Sequence, residues 1–145
     1  MVETYRGFVT DARQREAFGT ALRLLCAPGE LPVLYHCSGG RDRSGWMTAI
    51  VLTTLGVPRE VVLRDYLLSN DYHRAGFGKL RSDLVKTGVV AEPELLRPVL
   101  EQSPTYLGAA FEAAERHYRS FGQFLGHGLG VGDAAADGLR RGPAE

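Results

Sequence analysis

Apolar residues recur at helical spacing through most of the chain. Residues 12–25 repeat in this way, and Thr10 or Asp11 precedes them as a candidate N-cap. Residues 44–55 are apolar nearly all round, which is typical of a helix packed inside a domain. Gly56 marks the predicted end of this helix. The pattern predicts a domain built mainly from helices.

The second half of the chain continues this pattern with one ambiguous region. Residues 58–73 alternate an apolar face with charges, and Ser103 followed by Pro104 begins a clear helix. Residues 75–90 carry several glycines among short apolar pairs, which predicts weak helicity and mobility. Further short helices are predicted in residues 92–102 and in the glycine-rich C-terminal segment.

A short run of strand-forming residues interrupts the helices. Residues 31–37, with the sequence LPVLYHC, are apolar and bounded by turn residues, as expected of a strand buried on both faces. This strand would deliver Cys37 at its C-terminal end. The expected fold class is therefore α/β and rich in helices, and residues 1–145 have the length of a single domain.

Composition and charge argue against nucleic acid as a binding partner and against a bilayer-spanning segment. The 145 residues carry 17 Lys+Arg and 17 Asp+Glu, without the basic run or aromatic platform of a nucleic-acid-binding surface. An anionic ligand must therefore be bound by a local cluster of charges. The N-terminal residues lack a signal-peptide pattern, and no stretch has the apolar length of a bilayer span, so a cytoplasmic protein is expected.

The two cysteines differ in their surroundings. Cys26 and Cys37 would lie at opposite ends of a loop and strand, so a disulfide between them is not expected. Cys26 has no loop chemistry beside it and is expected to be a packing residue. His73, His117 and His127 show no ligand spacing, so no metal ion or other cofactor is implied.

Cys37 begins a loop with the spacing Cys-x5-Arg. Gly39 and Gly40 permit this loop to wrap into a cup between the predicted strand and the predicted helix. The backbone N–H groups from Ser38 to Arg43, together with the helix N-terminus, would point at one tetrahedral anion. The same positive field lowers a thiol pKa, so Cys37 is a candidate nucleophile beneath a bound phosphate.

Side chains around the cup fit the same chemistry. Arg43 can bind two phosphate oxygens with its planar guanidinium, and Arg41 would add a second positive charge at the rim. Ser44 can donate a hydrogen bond to the sulfur, which helps the sulfur leave when water attacks a phosphocysteine. His36 is expected to orient the loop and to assist the low thiol pKa.

The run HCSGGRDRSG resembles the signature loop of cysteine-dependent protein tyrosine phosphatases. More narrowly, it is similar to the HCxxGKDRTG loop of bacterial tyrosine phosphatases that also act on phosphoinositides, with Arg41 in place of lysine and Ser44 in place of threonine. Residues 55–72 and 104–125 also resemble that family's C-terminal half. The resemblance implies a phosphatase-type α/β fold and hydrolysis of phosphotyrosine, extending to phosphoserine, phosphothreonine or phosphoinositides.

The chain departs from that family at its N-terminal side. In the family a sizeable N-terminal part supplies several strands of the central sheet, whereas only about 30 residues precede the predicted strand here. The domain is therefore expected to be incomplete, as a fragment, a truncated gene product or half of a swapped assembly. An uncovered strand edge would then promote self-association.

The acid that protonates the leaving group is not fixed by the sequence. Asp11 is the only aspartate upstream of the cysteine, but it is better explained as a helix cap. Asp42 is the favoured acid, and a role as loop organiser or a salt link to a neighbouring arginine remain open. A rhodanese-type sulfur carrier is disfavoured because its arginine would stand where Asp42 stands. An inactive phosphate-binding or interaction module stays open as the alternative to an enzyme.

Overall fold

The computed structural model describes residues 1–27, 29 and 32–141. Within these ranges the chain forms helices joined by short loops and contains no paired strand. The helices are α1 (Val2–Thr10), α2 (Ala12–Cys26), α3 (Asp42–Thr54), α4 (Arg59–Lys86), α5 (Arg97–Leu100), α6 (Pro104–Tyr118), α7 (Phe121–Gln123) and α8 (Asp133–Arg141). A 3-10 turn (Pro93–Leu96) precedes α5, and a π turn (Phe124–Gly128) follows α7.

The core lies around Trp46, the fully buried aromatic residue of α3. Its ring meets that of Phe111 on α6 edge-on, with 5.1 Å between centroids. Phe121 and Phe124 extend this aromatic cluster, and α1 packs along α6 beside it. Because aromatic side chains bury large apolar areas, this cluster fixes the position of α3 and hence of the loop that precedes it.

Helix α1 was not predicted from the sequence. Tyr5, Phe8 and Val9 are buried and lie at helical spacing, so one face of α1 is apolar. Asp11 ends α1 and caps α2, because its carboxylate accepts a hydrogen bond from the Gln14 backbone N–H at 2.9 Å. The interpretation of Asp11 as a helix cap is confirmed.

The helices predicted after residue 58 are present with different bounds. Helix α4 continues to Lys86, so the prediction of weak helicity over residues 75–90 was wrong for most of that range. Glycine costs only about 1 kcal/mol in a helix interior, and the pair Lys79–Asp83 adds a favourable i,i+4 contact. Ser103 caps α6 with Pro104 in its first turn, as predicted. No helix in the described ranges has the length and apolar character to cross a membrane.

The predicted strand is not buried. Residues 33–37 have no regular secondary structure and pair with no strand in the described part of the chain, and Leu31 lies outside the described residues. Leu34 is 90% exposed and Val33 37% exposed, so the expectation of a strand buried on both faces was wrong. The physical reason is that a strand needs neighbouring strands and covering layers, and the described residues supply none. The α/β sheet is therefore not seen, and the described fold is helical.

Candidate active site

The loop from Cys37 to Arg43, called the Cys37 loop below, turns sharply into α3. Gly40 has φ of 64°, in the left-handed region that favours glycine. Helix α3 then begins at Asp42, with its first backbone hydrogen bond running from the Gly45 N–H to the Arg41 carbonyl at 2.7 Å. The N–H groups of the first helical turn have no helical partner and form an electropositive end beside the cysteine.

Cys37 is half-buried and faces a ring of donors. Burial raises the pKa of its thiol, but hydrogen bonds from the Ser44 hydroxyl and backbone outweigh this effect. Backbone N–H groups of Arg41 and Gly39 act in the same direction and bring the pKa of Cys37 to about 6. The thiol is therefore largely a thiolate at neutral pH, which is the nucleophilic form.

Ser44 links both sides of the Cys37 loop. Its Oγ also accepts a hydrogen bond from the Cys37 backbone N–H at 2.9 Å, so the hydroxyl is held directly beside the cysteine. The structure thus places the Ser44 hydroxyl where it can donate to the sulfur. Gly45, the next residue, is required by close packing, because a Cβ there would lie 2.9 Å from the Tyr66 ring.

Arg43 lies at the mouth of the loop and is exposed. Its one side-chain hydrogen bond in the described structure is a long one, 3.4 Å from Nη2 to the Ser38 hydroxyl. No carboxylate of the described residues pairs with it within 4.0 Å. The guanidinium is therefore available for an anion bound in the cup.

A cavity of about 390 Å³ opens above Cys37 and is called the Cys37 cavity below. Arg43, Ser44 and His36 form its polar part together with two residues of α2, Arg13 and Gln14. Its remaining walls are apolar: Ala17, Phe18, Ala21, Tyr35 and Met47. Arg13 was not predicted from the sequence. The one signal for it is the spacing of Arg13, Ala17 and Ala21 along one face of α2.

His36 lines the Cys37 cavity, and its side chain is exposed. Its Nδ1 lies 3.3 Å from the Cys37 carbonyl oxygen. The largest effects that lower the pKa of Cys37 come from Ser44, Arg41 and Gly39. Assistance by His36 to the low thiol pKa stays a prediction.

Arg41 does not stand at the rim as a free positive charge. Its guanidinium donates to the carbonyl oxygens of Leu100 at 2.5 Å and Val99 at 3.2 Å, and it lies over the Phe77 ring at 4.5 Å. Arg41 is not among the residues that line the Cys37 cavity. The prediction of a second rim charge was wrong, because carbonyl groups at the end of α5 attract this guanidinium instead. Arg41 ties the loop to α4 and α5.

Asp42 belongs to a buried hydrogen-bond network. Its Oδ1 accepts from the Tyr5 hydroxyl at 2.9 Å and from the Gln102 side-chain amide at 3.3 Å. No arginine pairs with Asp42 in the described part of the chain, so the predicted salt link is absent there. Asp42 also does not line the Cys37 cavity. These contacts support the loop organiser among the roles that the sequence leaves open.

The hydrogen-bond network joins Asp42 to α1, to α4 and to Gln102, which precedes α6. The hydroxyl groups of Tyr5 and Tyr66 are 2.7 Å apart, and Tyr66 donates to Gln102 Oε1 at 2.7 Å. Asn70 holds Gln102 in turn, through hydrogen bonds to both its backbone groups. Burial raises the pKa of Tyr5 and of Tyr66, so both stay protonated and can donate. The network could not be predicted from the sequence, because its hydrogen-bonded partners lie 32 to 97 positions apart.

Cys26 has no such surroundings. It is the last residue of α2, packs at the edge of the core and remains a free thiol, as does Cys37. Burial alone raises the pKa of Cys26. The two thiols of one chain are therefore shifted in opposite directions, and the difference comes from the donors around Cys37.

A low-pKa thiol, a glycine-containing loop at a helix N-terminus and an arginine without a carboxylate partner among the described residues thus lie together at one cavity. Residues 1–142 match the model of a family described as the tyrosine phosphatase family. The chain belongs to this family.

Curated relatives carry matching names. The chain is 33% identical over 131 residues to a Cupriavidus necator protein named as a tyrosine-protein phosphatase, covering 90% of this chain and 46% of that one. It is 32% identical over 149 residues to the triple specificity protein phosphatase PtpB of Mycobacterium tuberculosis, covering 97% of this chain and 53% of that one. The chain thus spans about half the length of these relatives.

Proposed function

We propose that the chain hydrolyses phosphomonoesters through a phosphocysteine at Cys37. The observation that carries this proposal is the thiol of Cys37, whose pKa backbone donors lower to about 6, in one cavity with Arg43, which pairs with no carboxylate among the described residues. Membership of the tyrosine phosphatase family supports the same chemistry.

The reaction has two steps. The Cys37 thiolate attacks the phosphorus, the bond from phosphorus to the ester oxygen breaks, and the leaving oxygen takes a proton. Water then attacks the phosphocysteine, loses a proton, and the phosphorus–sulfur bond breaks to restore the thiolate. The backbone of the loop and Arg43 hold the phosphoryl oxygens throughout, while the Ser44 hydroxyl stabilises the departing sulfur.

We infer that the preferred substrate is an aryl phosphate such as phosphotyrosine. The Cys37 cavity has an apolar wall formed by Phe18 and Met47, against which a phenyl ring can pack. Arg13 and Arg43 supply positive charge at the opening. The relative named for triple specificity supports a range wider than phosphotyrosine. The resemblance of the loop HCSGGRDRSG suggests phosphoserine, phosphothreonine or phosphoinositides as the further substrates.

In this proposal Asp42 organises the loop and is not the acid. Its Oδ1 is engaged by two buried donors, and no carboxyl group of the described residues lines the Cys37 cavity. Substrates with acidic leaving groups, which need little protonation, should therefore react fastest.

The test is hydrolysis of a chromogenic aryl phosphate by the purified chain in the presence of a chelator. Cys37→Ser should abolish turnover while binding of a phosphate analogue survives, because a hydroxyl keeps the shape but is a far poorer nucleophile. Cys26→Ser is the matched control and should retain full activity. Turnover that survives in Cys37→Ser would rule out the covalent mechanism.

A phosphate-binding module without turnover is the second candidate. The observation that favours it is that no carboxyl group of the described residues lines the Cys37 cavity to protonate a leaving group. Binding of a phosphate analogue without any hydrolysis of the aryl phosphate would select this candidate.

A further inference from the structure

A second cavity lies between α4 and α5, next to the Arg41 side chain of the Cys37 loop. It has a volume of about 240 Å³ and is called the arginine cavity below. Arg74 and Arg81 on α4 and Arg97 on α5 line it together with Phe77, Leu100 and Glu101. Three guanidinium groups thus face one space in a chain whose formal net charge is zero.

The charges that line this cavity are unbalanced. Glu101 is the one carboxylate among its lining residues, and it pairs with Arg97 at 2.8 Å. Arg74 pairs with Asp71 and Arg81 contacts Glu94 at 4.0 Å, but neither carboxylate lines the cavity. The local excess of positive charge is therefore in the cavity, and the compensating carboxylates lie outside it.

The existing ion pairs leave these arginines able to bind an anion. Exposed pairs contribute only about 0.2–1 kcal/mol each. A guanidinium has several N–H donors, so one carboxylate does not saturate it. A phosphate group carries up to two negative charges and accepts paired hydrogen bonds from a guanidinium, which makes it a stronger partner than a single exposed carboxylate.

The arginine cavity also touches the Cys37 loop through one residue. The Arg41 guanidinium donates to the Leu100 carbonyl and stacks on Phe77, and both of these residues line the cavity. Arg41 is itself the N-cap residue of α3. A group bound between α4 and α5 would therefore lie against the residue that anchors the loop.

We propose that the arginine cavity is a second anion site, which binds a phosphate group beside the Cys37 loop. The phosphate belongs either to a free anion or to a second phosphorylated position of the substrate. Binding at this site does not require turnover at Cys37. If the phosphate belongs to the substrate, the site would favour substrates with two phosphate groups, and that part of the proposal rests on the proposed function.

The binding test uses the Cys37→Ser chain with inorganic phosphate, followed by heteronuclear NMR. Two groups of signals should shift with separate affinities: the loop amides, and the side-chain Nε–H signals of Arg74, Arg81 and Arg97. In the double variant Arg81→Gln, Arg97→Gln the Arg74 signal should respond at least about tenfold more weakly, while the loop amides still shift. Arg6→Gln is the matched control, because Arg6 is also a half-exposed arginine in a surface ion pair.

Two results would overturn the proposal. One is that only the loop amides respond to phosphate. The other is that the arginine signals shift equally with chloride at the same ionic strength, which would make the effect non-specific screening.

Kinetics separate the two sources of the phosphate. In the chain with intact Cys37, a substrate with a second phosphate group should have a lower KM than its singly phosphorylated analogue, and the double variant should remove this difference. A KM difference that disappears in the double variant assigns the site to the substrate. Equal KM values, with the NMR response present, assign it to a free anion. If no variant of the chain turns over, the NMR result alone decides the proposal.

Discussion

The two sides of Cys37 are held very differently. On the C-terminal side, α3 is fixed by the buried Trp46, by the contact of Gly45 with Tyr66, and by the network at Asp42. On the N-terminal side, residues 33–36 pair with no strand in the described ranges and expose Leu34 almost completely. Tyr35 contacts α3 through its hydroxyl, which lies 2.9 Å from the Thr48 hydroxyl. The nucleophile therefore stands between a firmly packed helix and a largely uncovered segment.

This difference shows which part of the chemistry is local. The donors with the largest effect on the pKa of Cys37 come from the loop and the first turn of α3. Activation of the thiol is thus encoded within about ten residues, whereas the described residues supply no partner strand for the segment before the cysteine.

The largest expected effect is on the firmly held side. Arg43→Lys should lower the rate of aryl phosphate hydrolysis by about two to four orders of magnitude, because a point charge replaces a bidentate donor in the transition state. The measurement is kcat/KM, with Arg116→Lys on the exposed surface of α6 as the control. A loss below tenfold would mean that Arg43 does not contact the phosphate.

Asp42→Asn separates an organiser from an acid. Weakening the buried network should lower the rate by about 10- to 100-fold. If Asp42 is an organiser, the variant should lower the hydrolysis rates of activated aryl phosphates and of poorly activated alkyl phosphates alike. It should also bind phosphate analogues more weakly. The ratio of the two rates is the measurement. A variant that spares only the activated aryl substrate would instead identify Asp42 as the acid.

Tyr66→Phe tests the network through stability. Removing this hydroxyl leaves the buried Gln102 and Tyr5 short of a partner, which should cost about 1–3 kcal/mol in the free energy of unfolding. Tyr72→Phe is the matched control, because Tyr72 is 83% exposed and should be unchanged. Equal denaturant midpoints for the two variants would show that the network does not hold the loop.

The loop and the helix caps could be predicted from the sequence because their signals are local. Cys-x5-Arg, the caps at Asp11 and Ser103 and the turn at Gly40 each depend on neighbours along the chain. The family resemblance drawn from the same loop is confirmed by the match over residues 1–142.

The sequence-based predictions that failed concern features set by contacts between distant residues. The engagement of Arg41 by α5, and of Asp42 by Tyr5 and Gln102, follows from tertiary packing that no local pattern encodes. The strand prediction failed for a related reason, since LPVLYHC has strand propensity but the described residues contain no second strand. Propensity favours a conformation, and pairing decides whether it is buried.

The smallest expected effect is on the uncovered side. Leu34→Lys should change the free energy of unfolding by no more than about 0.5 kcal/mol, because the side chain is already exposed. The same variant should reduce self-association of the chain, since lysine on an unpaired strand edge opposes pairing with a second copy. Light scattering over a concentration series measures this. A large loss of stability would show that Leu34 is covered in solution.

The most direct measurement is the pH dependence of alkylation at the two cysteines, followed by peptide mass spectrometry. Because its pKa is lowered, Cys37 should react at nearly its full rate at pH 7 and slow as the pH falls through about 6. Cys26, whose pKa burial raises, should react with a midpoint above the ordinary thiol value of about 8.5. A Cys37 midpoint that coincides with that of Cys26 would contradict the claim that the loop in this chain activates its cysteine.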